Sequence, residues 1–545
     1  MEFNNNGYNN FPETDTCRFG GGLGAQIPVN LFSGKIACEM AEDFTLPEYL
    51  PEIRRLLRVS SIVSVPSKYL AAASLKVSGT VDYNVLYVGS DGCVYSAELS
   101  DEYEMSSPSF TDVEYDVNAT LSVCADVCVD NVVSRVTGAR KINIKACVSA
   151  NVKVIGRIAA TGGSNISCEP HVQKLIKSCN YTTELFGESC DSEAVDELDI
   201  ENGERYVSTD CRVFVEGVSA YDGYAECRGS VLMRHLMEKR SGKLYEIARK
   251  IPFDETVEID GLAAGMPVTA FGRCAAITKN VTDDAESGAQ SAVSVSAHIC
   301  VAAKAYNKNS IRYVKDVFST DYDCANEESS FELSELCACA NKNLTLNESR
   351  DADSIAALTG VGEVIISDAV AEASVETVEL SDNGRYVING KCRFYVILAR
   401  NDGEGEREDG KDITEYYSTD VEVPFRYECA ESGEKPSAWS VRVEAIEPRV
   451  RYDGEKLDLG CEIVLSYSFE SGKTTQMIEN SRLGAEIKKE KKGYTVCYPC
   501  GEDSLWSISK KYRAKVDATA RGNGIDTAAD ADSEELLEGI RYMIV

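Results

Sequence analysis

Apolar and polar residues alternate through residues 76–95, and this pattern predicts a β-hairpin. A two-residue period places one set of side chains on the buried face of a strand and the other set in solvent. Gly89-Ser90-Asp91-Gly92 then has the composition of a tight turn, and residues 93–95 begin the return strand. The residues predicted to share the buried face are Val77, Gly79, Val81, Tyr83 and Val85.

The hairpin pattern occurs twice more along the chain. A second copy lies 150 positions after the first, as from Gly79 to Gly229, and its matching residues are Gly229, Val231, Met233, Leu236, Gly242 and Tyr245. A third copy starts at Gly390 and keeps the offsets of Cys392, Phe394 and Ile397. Its turn is enlarged into an acidic loop at 401–412. A repeated domain accounts for the shared offsets, and the alternative is a set of unrelated hairpins in an all-β protein.

Breaks in the alternation predict the organisation of the whole chain. The predicted fold class is mainly β, with three tandem β-rich, sandwich-like units followed by a small βααβ module. Residues 1–40 lack any period and predict a flexible tail, whereas residues 161–170 and the charged residues 481–492 predict linkers. The units then cover residues 41–160, 171–320 and 321–480, and the module covers 493–545.

The module begins and ends with short predicted strands, at residues 494–496 and 539–545. Between them, Leu505, Ile508 and Tyr512 have helical spacing after a cap at Asp503 or Ser504, and residues 516–521 predict a second helix.

Trp506 is the candidate anchor of this module. Leu505 and Ile508 are three residues apart, so both should enter the small core. Trp506 is displaced from Leu505 by about a quarter-turn of helix. We therefore expect Trp506 at the edge of the core and partly exposed, where large aromatic side chains often anchor interfaces. The alternative is that Trp506 only covers the second helix of the module.

The net charge of −33 restricts the possible partners. Duplex nucleic acid and anionic membranes both select for clustered Lys and Arg, so neither is expected as a partner. No stretch approaches eighteen uninterrupted apolar residues, and we expect no transmembrane segment. The N-terminus has no signal-peptide pattern, so the 21 cysteines are expected to be mostly thiols.

Known catalytic motifs are absent from the sequence. It contains no G-x-S-x-G, H-E-x-x-H, Walker loop or dinucleotide fingerprint. Cys497-x-x-Cys500 is a candidate redox or metal pair, but a four-thiolate site needs a second pair, and none follows. The prediction is a protein that is not an enzyme and has no metal or other cofactor.

Two parts of the chain resemble known families. The sequence LPEYLPEIRRLLRV at 46–59, followed by the G-x-V-x-Y-x-V-L-Y of 79–87 and the arginine-centred strand at 134–144, resembles the start of a SPOCS domain from endospore-forming bacteria. Within it, the prolines predict extended backbone with one helical turn at 52–57. Residues 493–545 resemble a LysM domain, with an extra acidic residue at Glu502 and an acidic insert at 529–535.

These resemblances imply an adaptor in assembly of the spore coat and envelope. They place it in the mother-cell cytoplasm at the forespore surface. There the LysM module would dock on the coat-basement ATPase, stage IV sporulation protein A. The alternative is a protein whose LysM module binds N-acetylglucosamine polymers of peptidoglycan. For either partner, the predicted binding residues are Gly501, Glu502, Asp503, Ser504, Trp506, Asn523, Gly524, Ile525 and Asp526.

Overall fold

The computed structural model is built mainly of antiparallel β-strands, which confirms the mainly β fold class. Residues 1–24 and part of the predicted linker at 481–492 lie outside the described residues. The structure describes residues 25–545 except 72, 111–112, 114, 118–120, 284–289, 361–362, 407–411, 489–493 and 527–529.

Sandwich 1 (residues 25–160) consists of two antiparallel sheets that face each other. In one sheet, the last strand pairs with the first strand and with the penultimate strand. The other sheet contains the first predicted hairpin. Val81 and Tyr83 of that hairpin meet Ile144 and Val148 of the opposite sheet in a shared core. The strands are β1 (Ala25–Thr45), β2 (Ile53–Val63), β3 (Ser67–Ala71), β4 (Ser74–Gly89), β5 (Val94–Ser106), β6 (Ser122–Gly138) and β7 (Lys141–Ala160).

Sandwich 2 (residues 172–319) has the same arrangement of strands. Its last strand, β13, lies between the first strand and the penultimate one, and its second sheet is a three-stranded meander with β10 in the centre. The strands are β8 (Val172–Asp199), β9 (Arg205–Tyr221), β10 (Tyr224–Glu238), β11 (Leu244–Glu258), β12 (Val268–Asp283) and β13 (Gln290–Ser319).

Sandwich 3 (residues 322–486) repeats this order again. The last strand, β19, pairs with the first and the penultimate strands, and β16 is the centre of the meander. The elements are β14 (Tyr322–Asp351), the short helix α1 (Asp353–Thr359), β15 (Val364–Leu380), β16 (Arg385–Glu406), β17 (Asp412–Ser432), β18 (Ala438–Tyr452) and β19 (Lys456–Glu486). The three copies of the hairpin pattern therefore occupy β4–β5, β10–β11 and β16–β17.

Several sequence-based assignments are wrong at the ends of the sandwiches. Residues 25–40 belong to β1, not to a tail, because they pair along β7. Residues 53–57 belong to β2 and form no helical turn. Residues 481–486 extend β19 instead of starting a linker. Residues 481–486 are mostly exposed and carry little apolar periodicity. In β1 the buried residues Ile27, Leu31 and Ile36 are not evenly spaced, so the two-residue period is not visible in the sequence.

Each sandwich contacts the other two through apolar side chains. One contact cluster contains Leu86, Leu236 and Ile397, which occupy the same position in the three hairpin copies. A second cluster joins Ile27 of β1 to Tyr313 of β13 and to β14 and β19. Sandwiches 1 to 3 are together called the body of the protein. In the body, each sandwich packs against both of the others through apolar side chains.

Two equivalent arginines fasten neighbouring sandwiches together. Arg55 donates a hydrogen bond to the carbonyl oxygen of Tyr416 (2.7 Å), and its guanidinium lies 4.3 Å from the ring centre of Tyr417. Arg205, 150 positions later, donates to the carbonyl oxygen of Val94 (2.6 Å) and lies 4.7 Å from the ring centre of Tyr95. The first contact joins sandwich 1 to sandwich 3, and the second joins sandwich 2 to sandwich 1.

A buried charged triad connects all three sandwiches. Lys153 of β7 lies 2.7 Å from a carboxylate oxygen of Glu184 in β8 and 3.1 Å from one of Glu470 in β19. The Ser334 hydroxyl donates to Glu470 at 2.6 Å. Burial and the hydrogen bond with Glu470 raise the pKa of Glu184. Burial alone would raise the pKa of Glu470, but Glu184 and Lys153 outweigh it and lower that pKa. The two carboxyl groups therefore share a proton at neutral pH.

The C-terminal module (residues 494–545) packs against the body. Its elements follow the order strand, helix, helix, 3₁₀ turn and strand. The bounds are β20 (Val496–Cys497), α2 (Leu505–Tyr512), α3 (Val516–Gly522), the 3₁₀ turn Glu534–Leu537 and β21 (Met543–Ile544).

Candidate functional site

Leu505 and Ile508 of α2 lie in the small core of the module, which confirms the prediction for both residues. Ser504 starts α2 as its N-cap: its hydroxyl accepts a hydrogen bond from the backbone N–H of Ser507, and the Ser507 hydroxyl accepts one from the backbone N–H of Ser504. A capping box of this kind satisfies the free N–H groups of a helix start. Ser504 therefore has a structural role that explains its place in the motif.

The first predicted binding loop lies before α2. Gly501 and Glu502 are exposed there. Asp503 instead closes the loop, because its carboxylate accepts a hydrogen bond from the backbone N–H of Cys500 at 2.8 Å. Glu502 thus offers the exposed carboxylate of this loop, while Asp503 and Ser504 shape the loop around it.

The second predicted loop follows α3, and Asn523 fixes it in place. The Asn523 amide accepts from the backbone N–H of Ile544 (2.7 Å) and donates to the carbonyl oxygens of Ile544 (2.8 Å) and Thr519 (2.7 Å). Gly524 has a φ of +71°, and Ile525 packs against the core. Asp526 is exposed. The loop therefore presents Gly524 and Asp526, whereas Asn523 and Ile525 support it.

The expectation that Trp506 is partly exposed is wrong. Only 5% of this residue is accessible, because sandwich 2 covers it. The indole Nε1–H donates to a carboxylate oxygen of Asp316 at 2.8 Å, and the ring meets Phe318 edge-to-face at 4.9 Å. Leu175 completes the contact. The sequence places Trp506 correctly outside the core of the module, but it gives no sign of the surface that covers it.

Ion pairs surround the contact between module and body. Lys510 and Arg513 of α2 reach Asp316 (2.6 Å) and Asp323 (2.8 Å) of the body. In the opposite direction, Lys177 and Lys315 of the body reach acidic residues of the module, with Lys315 lying 2.6 Å from Asp532 and Lys177 lying 2.5 Å from Asp530. The acidic insert that departs from the LysM pattern is therefore part of this contact.

The module also has an exposed apolar and aromatic face around β20 and β21. Val496 and Ile544 are paired across β20 and β21 and are 51% and 38% exposed. Tyr498 and Tyr542, just beyond the pair, are 74% and 57% exposed. The sequence analysis did not single out this face. Its signal was the alternation of Tyr494, Val496 and Tyr498 around Cys497, whose side chain enters the core.

A cavity of about 1110 Å³ is lined by residues from all three sandwiches. The wall of the cavity contains paired opposite charges. The guanidinium of Arg212 lies 3.0 Å from a carboxylate oxygen of Glu444 and 3.2 Å from one of Asp210. Burial alone would lower the pKa of Arg212, but these carboxylates outweigh it and raise the pKa. The paired charges identify this wall as a polar junction between the sandwiches.

His235 has an environment that superficially resembles a catalytic triad. Its Nδ1 lies 2.8 Å from the Thr209 hydroxyl and its Nε2 lies 3.1 Å from a carboxylate oxygen of Asp196. Thr209 is only 7% exposed, and its hydroxyl also bonds to Tyr206 at 2.8 Å. Burial lowers the pKa of His235 although Asp196 opposes this. The chain of contacts satisfies a buried imidazole.

Cys497 and Cys500, the candidate thiol pair, are not bridged to each other. Cys497 is buried, which raises the pKa of its thiol, while Cys500 is exposed. A disulfide instead joins Cys190 to Cys300 across β8 and β13. Among the described residues, these two sulfurs and Glu188 form a cluster with the composition of a metal site. Because both sulfurs form the disulfide, neither is present as a thiolate that could bind a metal ion.

Comparison with known proteins adds no relative. No family model, no curated protein and no solved structure matches the chain. In the part of the chain that the structure describes, no helix has both the length and the apolar character needed to cross a membrane.

Proposed function

We propose that the chain is a non-enzymatic adaptor in assembly of the spore coat and envelope. In this proposal the body is built of SPOCS-type units, and the C-terminal module is a LysM-type domain that captures a protein partner. By resemblance the chain is similar to the spore morphogenesis protein SipL, and the partner is stage IV sporulation protein A. The site of action is the forespore surface on the mother-cell side.

The observation that carries the proposal is the exposure of both predicted loops on a module that contacts the body through α2. Gly501, Glu502, Gly524 and Asp526 are exposed, whereas α2 faces sandwich 2. A body that presents two acidic loops in this way is suited to hold a basic protein surface, because complementary charge favours encounter and orientation.

The contact between the two SPOCS-like motifs supports the same proposal. The predicted arginine-centred strand at 134–144 is a hairpin, and Arg140 lies in the turn between β6 and β7. Arg140 donates to the backbone carbonyl oxygens of Pro47 (2.8 Å), Glu48 (3.0 Å) and Leu50. The Leu-Pro segment and the arginine thus form one structural feature, which is a physical reason for both motifs to occur in the same domain.

Binding to the purified ATPase tests the proposal. The double variant Glu502→Lys/Asp526→Lys should raise the Kd by about tenfold or more, which corresponds to about 1.4 kcal/mol. Glu197→Lys/Asp199→Lys, the same charge change at two exposed positions of sandwich 2, is the matched control and should leave the Kd unchanged. Equal affinity of all three proteins would reject the two loops as the binding site.

The peptidoglycan alternative has its own measurement. Exposed Tyr498 and Tyr542 offer aromatic surfaces of the kind that stack on sugar rings. Calorimetry with chitin oligomers should give no binding if the protein partner is correct. Tight binding that is lost in Tyr498→Ala would favour N-acetylglucosamine polymers instead.

A further inference from the structure

We propose that the body acts as a lock on the C-terminal module and keeps Trp506 from the partner until the module is released. This inference rests on the proposed function, because it concerns regulation of the same binding module. In the locked state Trp506 is buried against sandwich 2. The acceptor site on the body is defined by Leu175, Asp316 and Phe318.

The acceptor site fits the indole in both its apolar and its polar part. Phe318 and Leu175 contact the ring, and Asp316 accepts the hydrogen bond of Nε1. Buried tryptophan side chains usually need such an acceptor. Trp506 is not one of the buried residues of the module's own core, although Val516 and Ala531 of the module pack against its cluster. Release from the body would therefore uncover the part of the indole that Leu175 and Phe318 now cover, four residues after Glu502 in the sequence.

A β-bulge adapts the strand to this contact. The register of β13 against β8 shifts between Val314 and Asp316, which leaves Lys315 as the extra residue. In a regular strand, neighbouring side chains point to opposite faces, but a bulge re-aims them. Here Lys315 binds Asp532 while Asp316 binds both Trp506 and Lys510. Both consecutive side chains therefore serve the same module.

The lock combines one buried indole with ion pairs that are open to solvent on one side. Lys315 and Lys510 are 48% and 45% exposed, whereas their partners Asp532 and Asp316 are 23% and 24% exposed. Exposed pairs contribute little individually and are screened by salt. The apolar part rests on one indole and its neighbours, and a buried tryptophan covers about 150–250 Å². A contact of this kind holds the module at low ionic strength and opens reversibly.

The lock reduces the apparent affinity of any partner that uses the Trp506 face. Only the released fraction of the protein can bind such a partner. The measured Kd is the intrinsic Kd divided by this fraction, so it rises as the released fraction falls. Weakening the acceptor site on the body should therefore strengthen partner binding without any change in the module.

Tryptophan quenching measures release directly in the full chain. The sequence has two tryptophans, so a Trp439→Phe background leaves Trp506 as the sole reporter. In this background acrylamide should quench the emission poorly, and Asp316→Lys should raise the quenching constant several-fold, because it removes the indole acceptor and repels Lys510. About 0.5 M NaCl should act in the same direction.

Two further variants separate release from unfolding. Lys510→Asp should also release the module, and the Asp316→Lys/Lys510→Asp double variant should partly restore protection by exchanging the charges. Far-UV circular dichroism should be the same for all four proteins. If Trp506 stays protected in Asp316→Lys, or is already quenched readily in the parent protein, there is no lock.

Binding of the purified ATPase then decides the regulatory role. Asp316→Lys should bind several-fold more tightly than the parent. Release without a gain in affinity would overturn the regulation. Failure of both proteins to bind would overturn the proposed function, while the quenching result would still decide whether the module is locked.

Discussion

Phe253 lies directly opposite Gly229 on the neighbouring strand, and its ring covers the glycine backbone. A Cβ atom at position 229 would lie 2.6 Å from the ring and 2.2 Å from the carbonyl oxygen of Phe214. Sandwich 3 repeats the arrangement, with Gly390 opposite Phe425. The glycine that starts each of these hairpin patterns is therefore required by close approach of a ring and a backbone.

This geometry predicts that Gly229→Ala destabilises the protein. The methyl group would contact a backbone oxygen, which cannot move away as a side chain can. The free energy of unfolding should therefore fall by about 1–3 kcal/mol, the range typical of overpacking, or by more. Urea unfolding followed by circular dichroism measures the effect. Gly217→Ala on β9 is the control, because no atom lies within 4 Å of the added Cβ and the unfolding midpoint should be nearly unchanged. Equal midpoints for both variants would contradict the prediction.

Alternation along the chain was sufficient to predict the strands but not how the sandwiches meet. Val81, Tyr83 and Val85 are buried as the two-residue period requires. From Leu86 to Val88 every side chain of β4 is buried, because one face packs on its own core and the other on the neighbouring sandwiches. Periodicity shows that a residue is apolar, not which of two surfaces covers it, so the junctions were not predictable.

The two arginine contacts between sandwiches predict a second result. Arg205→Ala should weaken the junction of sandwiches 1 and 2 by about 1–3 kcal/mol, the range for hydrogen bonds of charged groups. Arg205→Lys should recover only part of this, because a lysine lacks the planar guanidinium that covers Tyr95. Limited proteolysis within residues 161–170 reports the loosening. Arg228→Ala, whose side chain is 68% exposed, should leave the cleavage rate unchanged.

The triad of Lys153, Glu184 and Glu470 predicts a loss of stability as the pH rises from 4.5 to about 8. Glu184 has a folded pKa of about 8 against an ordinary value of 4.5. Its contribution is therefore complete below pH 4.5 and is lost as the pH rises through about 8. Glu470 has a lowered pKa, so its contribution is present above pH 4.5 and is lost only in acid. From pH 6 to 9, the loss of the Glu184 proton dominates this site.

Glu184→Gln tests the assignment, because a glutamine amide donates a hydrogen bond as the protonated acid does but does not titrate. Urea midpoints of the parent protein should fall between pH 6 and 9, and the fall should be smaller in the variant. Lys304 and Tyr306 also face this site and are unchanged in both proteins. Parallel curves for parent and variant would show that Glu184 is not the group responsible.

Sequence reasoning located the module but misjudged the roles of its residues. The motif from Gly501 to Ser509 predicted the helix and its cap, because these depend on local chemistry. The covering of Trp506 depends on Asp316 and Phe318, which are nearly 190 residues away. A contact between distant parts of a chain leaves no local pattern. Asp530 and Asp532 of the predicted acidic insert take part in this contact, but the sequence did not indicate their partners.

The last prediction concerns Asn523→Ala. The sequence predicted Asn523 as a binding residue, but in the structure its amide supports the loop. The amide of Asn523 joins the end of α3 to β21 through three hydrogen bonds to backbone groups. Their loss should destabilise the module by about 1–3 kcal/mol. Hydrogen exchange should accelerate in residues 516–522 and 543–545 and stay unchanged in the body. Glu502→Ala should accelerate neither region, because Glu502 is exposed.

If Asn523→Ala behaves like Glu502→Ala, the amide is available to a ligand. Otherwise a binding defect of the Asn523 variant reports a loosened module, and only Glu502 and Asp526 test the binding loops.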